Sequence, residues 1–117
     1  MVSEVNGTWH TAIEVRGTAT LNQGKDAYVT SVSCASAGNC SAGGTYTDSS
    51  RHMQAFVVSQ VNGTWHAAAE VPGTATLNQG GNAAVQSVSC ASAGNCSAGG
   101  GYTDSYGHLQ AFVVRES

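Results

Sequence analysis

The stretch "SVSCASAGNCSAGG" fills residues 31–44, and the same fourteen letters return at residues 87–100. Working outward from it, Val2–Val57 aligns with Val58–Val113 at a period of 56 without a gap, and about four-fifths of the positions are identical. Self-similarity at such a period is the signature of solenoids, propellers and arrays, in which one unit cannot bury its own apolar face. The chain therefore divides into repeat 1 (2–57), repeat 2 (58–113) and an overlap into a third repeat (114–117). Identity this high means recent duplication or deliberate engineering.

Four stretches per repeat read as strands, being short, rich in Val, Thr, Tyr or Phe, and bounded by Gly, Asn, Asp or Ser. In the second copy they are 64–71, 83–90, 96–103 and 109–116. Nothing reads as a helix, because the Ala run 67–69 is hemmed in by Asn-Gly before it and Pro72-Gly73 after it. Short turns join the first three strands, Asn-Gly makes a tight hairpin into the fourth, and a longer segment crosses to the next copy. Three hairpins and one long crossing predict an all-β fold of propeller blades, four antiparallel strands each. A β-sandwich or β-solenoid would also repeat, but neither calls for one long connection per four strands.

The run "SVSCASAGNCSAGGTYTDSSRHMQAFV" resembles the cysteine-hairpin repeats of secreted bacterial β-propeller-like proteins, in both copies and so over nearly the whole chain. The resemblance implies a fold and no single activity. Two blades cannot close a ring that needs about four to eight. The chain starts within the turn before a fourth strand and stops just after a third. The expectation is that Thr8–Val15 completes the last blade of a neighbouring copy, head to tail. Three chains would give a six-bladed ring, and two or four chains would give four or eight blades.

Composition narrows the partners. Charged residues are 9% of the chain, with four Lys and Arg in total, too few for the basic patch that attracts nucleic acid. The sequence has no apolar run long enough for a membrane helix. Four Cys in an even, repeated arrangement predict disulfides and a secreted protein, a mature fragment or expressed piece whose leader was removed.

Each cysteine pair, Cys34 with Cys40 and Cys90 with Cys96, flanks five residues at a predicted hairpin, where the sulfurs can face each other. Zinc usually takes closer paired thiolates, and no Cys-x-x-Cys suggests redox work. No metal or other cofactor is called for. On the fourth strand, Trp9, His10 and Glu14 and their copies Trp65, His66 and Glu70 could contact a ligand. His and Glu four apart on a strand are some 13 Å apart, too far for direct acid–base work. The turn residues Tyr46, Asp48 and His52, with Tyr102, Asp104 and His108, form a second candidate set, although an Asp before Ser commonly caps its own backbone. The turn is similar in outline to the Asp-box of sialidase-type propellers, but it lacks the Gly-x-Thr-Trp ending, so no catalytic residue is carried over. Asn6-Gly-Thr, Asn62-Gly-Thr and Asn39-Cys-Ser match glycosylation acceptors, but a primed hairpin turn explains Asn-Gly without glycans and they read as turns.

Nearly every polar residue occurs twice, which suits a repeated binding site or a scaffold better than one asymmetric active centre. The expected function is non-enzymatic: a self-assembling module with lectin-like binding of neutral carbohydrate, whose aromatic rings would stack on sugar faces. The alternatives are a scaffold without ligand and, further off, a piece of a glycan-processing enzyme.

Overall fold

The computed structural model describes residues 2, 4, 5, 7–9 and 11–116. Strand makes up 56% of the chain against 7% helix, and all strand pairs within the sheets are antiparallel, so the fold is all-β. Repeat 1 builds β3 (Ala27–Ser36), β4 (Asn39–Thr47) and β5 (Met53–Val61), and the matching strands of repeat 2 are β8 (Ala83–Ser92), β9 (Asn95–Thr103) and β10 (Leu109–Arg115). The earlier elements are β1 (Glu4–Val5), β2 (Thr8–Trp9) and α1 (Thr18–Leu21). Between the two triplets lie β6 (Thr64–Trp65), β7 (Ala69–Glu70) and α2 (Thr74–Leu77).

The repeated cysteine stretch forms the β3–β4 and β8–β9 hairpins. Cys34 sits opposite Cys40, and Cys90 opposite Cys96; both pairs are disulfide-bonded. Bonds of this kind fit an extracellular protein. Each loop is short, so replacing Cys34 and Cys40 together by Ala should cost about 2 kcal/mol in a denaturant titration. An unchanged midpoint would show that the clasp adds nothing to the hairpin.

The fourth stretch departs from the sequence expectation of one strand over 64–71. It is broken: Thr64 and Trp65 pair with Val61 and Gln60, and the ladder resumes only at Ala69 and Glu70, opposite Val57 and Phe56. The cause lies in the N-terminal segment, whose Arg16 carbonyl accepts the Ala68 N–H at 2.6 Å and whose Arg16 Nη1 donates to the Trp65 carbonyl at 3.0 Å. The Asn62-Gly63 turn has φ of 50° and 85°, the positive pair that a primed hairpin requires. Among the described residues of Thr8–Val15, only Thr8 and Trp9 are strand, paired with Val5 and Glu4.

The long connections also differ from expectation, because each contains a single helical turn. Gly17 and Gly73, at φ 87° and 88°, swing the chain into it. Thr18 Oγ1 then donates to the Val15 carbonyl at 2.6 Å, and Thr74 Oγ1 to the Val71 carbonyl at 2.7 Å. Four residues carry too little helical pattern to be seen in a sequence.

The two sheets stack, and alternation along β5 assigns its faces. Ala55 and Val57 point towards repeat 2, where they pack with Val71, Val85, Val88, Ala98 and Phe112. Phe56 and Val58 point the other way and pack with Ala42, Tyr46, Val15, Leu21 and Trp65. Polar bonds fix the stacking: Ser31 and Ser33 hydroxyls accept the N–H groups of Val88 and Cys90 at 3.1 and 3.0 Å. Thr45 Oγ1 donates to the Ala83 carbonyl at 3.0 Å, and Thr30 Oγ1 donates to that of Val85.

Candidate functional site

The turn residues come together as a clamp on their own backbone. One oxygen of Asp48 accepts the N–H groups of Ser50 and His52, both at 2.9 Å, and the other accepts Gln54 Nε2 at 3.0 Å. Asn78 Nδ2 holds Gln54 Oε1 at 3.1 Å and the Met53 carbonyl at 3.0 Å, tying the turn to the connection between repeats. Asp104 repeats the arrangement with Tyr106, His108 and Gln110. Burial works against ionisation of Asp48. Even so, the hydrogen bonds from Gln54, His52 and Ser50 hold its carboxyl below the usual range. The Gln110 bond, then the backbone bonds of His108 and Tyr106, do the same for Asp104. These carboxylates are committed to the turn. Gln54 and Asn78 were missed by sequence reasoning; their identity with Gln110 and Asn22 across the copies was the available signal.

Tyr46 is 4% exposed, with its ring centroid 6.4 Å from that of Phe56. Burial, reinforced by the negative charges of Glu70 and Asp48, pushes its phenol up to about 12. Glu70 is itself raised, by burial and then by Asp48. For Tyr46 the folded value lies above the value of about 10 in an unfolded chain. Its contribution to stability is therefore full below about pH 10 and is lost as the pH rises through about 12. Denaturation midpoints taken over this range should fall more steeply for the native protein than for Tyr46→Phe. Parallel curves would show that the phenol titrates alike in both states.

The fourth-strand candidates divide. His10 lies outside the described residues. Trp9 is 65% exposed on β2, and Glu14 is exposed, whereas Trp65 is half-buried against the Phe56 cluster. His66 is exposed and its N–H donates to the Ser59 carbonyl at 2.9 Å. Tyr102 packs against the inter-sheet core, while His108 is exposed with its ring 6.3 Å from that of Tyr106. The eleven described candidates thus form turn clamps, core contacts and separate surface positions rather than one pocket.

A site that the sequence did not reveal lies between the sheets. A cleft of about 240 Å³ opens among Val57, Pro72, Val88, Ala98, Val114 and Glu116, with Ser41 and Ser59 also in its lining. Ser59 Oγ donates to Glu116 Oε2 at 2.8 Å, and the Glu116 N–H reaches the Cys96 carbonyl at 2.8 Å. The walls are mainly aliphatic, so the cleft suits an apolar group carrying at most one polar atom. Among the described residues, no group of three or more His, Cys, Asp or Glu could hold a metal ion. No helix among them is long and apolar enough to cross a membrane. No protein-family model, curated protein or solved structure matches the chain.

Proposed function

We propose that the chain is a non-enzymatic, self-assembling module whose copies add head to tail and close a ring of β-propeller type, three chains and six blades being the favoured closure. One observation carries this reading: equivalent residues are covered in one repeat and bare in the other. Val57 is half-buried against repeat 2, whereas its counterpart Val113 is 88% exposed. Val88 is 8% exposed against repeat 1, whereas Val32 is 52% exposed. The contact between the sheets joins unlike faces, so each repeat leaves the face that the other has covered. Unlike faces on one molecule make a heterologous contact, which propagates until rotation closes it.

The sheet edge supports the same reading. Strand β10 pairs with β9 on one side and with no described strand on the other. In repeat 1 the equivalent edge is covered by β7, with Glu70 opposite Phe56. Shifted by one repeat, Glu14 of a neighbouring copy would stand opposite Phe112, and the pairing would cover the exposed edge.

The test is a charge on the bare face. Val113→Asp should leave the far-ultraviolet circular dichroism unchanged and reduce the sedimenting mass to that of one 11.8 kDa chain. An unaltered mass would remove this face from the assembly.

A second reading is neutral-carbohydrate binding at the Asp104 turn, favoured by Tyr106. Its ring is 84% exposed beside His108, a platform with polar neighbours. A glycan array probed with native protein and Tyr106→Ala would decide it, since only a signal lost in the variant supports the site.

A further inference from the structure

We propose that the cleft between the two sheets receives the indole of Trp9 from a second copy of the chain, an inference that rests on the assembly reading above. The repeat itself supplies the template. Trp65 stands opposite Gln60 in the β5–β6 ladder and packs on the cluster that contains Ala42 and Val58. Moved forward by one repeat, these three positions become Glu116, Ala98 and Val114, and all three line the cleft. Moved back by one repeat, Trp65 becomes Trp9, whose ring is 65% exposed and whose hairpin pairs only with itself among the described strands.

Size and chemistry agree with that occupant. Against the ~30 Å³ taken by one water in the liquid, about 240 Å³ is room for a bicyclic side chain rather than for one solvent molecule. Val57, Val88, Ala98 and Val114 offer the ring aliphatic walls, and indole has one N–H needing an acceptor. The Glu116 carboxylate and the Ser59 and Ser41 hydroxyls in the lining supply acceptors. A large aromatic side chain in a desolvated pocket is the residue type that dominates interface energetics.

The chain has two tryptophans, so each can be isolated. In Trp65→Phe, Trp9 is the sole indole reporter, and its emission should be blue-shifted at high protein concentration and return to the red on dilution. The difference spectrum between native protein and Trp9→Ala gives the same signal without altering Trp65. Trp9→Ala should weaken assembly at least ~30-fold by sedimentation, with unchanged circular dichroism. A native protein that remains one chain at all concentrations would overturn the assembly reading and this inference together. An assembled native protein whose Trp9 emission stays red, or whose Trp9→Ala variant keeps its mass at equal dilution, would overturn the Trp9 inference alone.

Discussion

Alanine at Gly44, or at its copy Gly100, is expected to abolish folding or to cost about 3 kcal/mol or more, the largest loss from one added methyl group in this chain. Both glycines stand beside a bulge, where the β3–β4 register shifts between Val29 and Ser31, and the β8–β9 register between Val85 and Ser87. The bulge turns a carbonyl under the next strand. A methyl on Gly44 would lie well inside contact of the Tyr28 oxygen and 2.9 Å from Val29 Cα, and one on Gly100 would press on the Ala84 carbonyl and Val85 Cα in the same way. These are backbone atoms and cannot rotate aside. Gly99→Ala, compared at protein concentrations too low for assembly, is the internal control, because its nearest neighbours within the chain would be 3.6 and 3.8 Å away, ordinary contact distances. Urea titrations should separate the two positions by most of the stability of the chain. Equal midpoints for Gly44→Ala and Gly99→Ala would contradict the bulge geometry.

Phe56→Ala is expected to cost about 3–5 kcal/mol. The ring is 1% exposed, lies 6.4 Å from that of Tyr46 on a strand paired with β7, and is the largest fully buried side chain among the described residues. A core made mostly of Ala and Val has few side chains able to relax into the hole. Phe112, its copy at 9% exposure, faces the inter-sheet contact. Phe112→Ala should therefore depend on protein concentration wherever a neighbour covers β10, whereas Phe56→Ala should not. Denaturant curves at two concentrations distinguish them, and identical behaviour of the two variants would argue against a covered β10.

Locally specified features were legible in the sequence. Asn62-Gly63 announces a primed turn, five residues between Cys34 and Cys40 announce a clasped hairpin, and the Asp48 and Asp104 turns are the backbone caps that an Asp before Ser suggests. The faces of the strands were not legible. In β4, the six residues Ser41–Tyr46 are all buried, although small, polar and aromatic side chains alternate without a hydrophobic period. A strand covered on both sides carries no period-two signal. The break at His66–Ala68 was invisible for another reason: it depends on Arg16, about fifty residues earlier in the chain. The cleft is lined from both sheets, by Val57 and Ser59 of one and Ala98 and Val114 of the other, so no contiguous stretch encodes it.

The contact between repeats is decisive, since the same contact made between chains would cover the bare Val113 face, the open β10 edge and the cleft between the sheets together. Multi-angle light scattering of the native protein across a dilution series tests it most directly. The expected result is one discrete species of three chains, dissociating on dilution straight to the 11.8 kDa chain. A folded species of one chain at every concentration would contradict it.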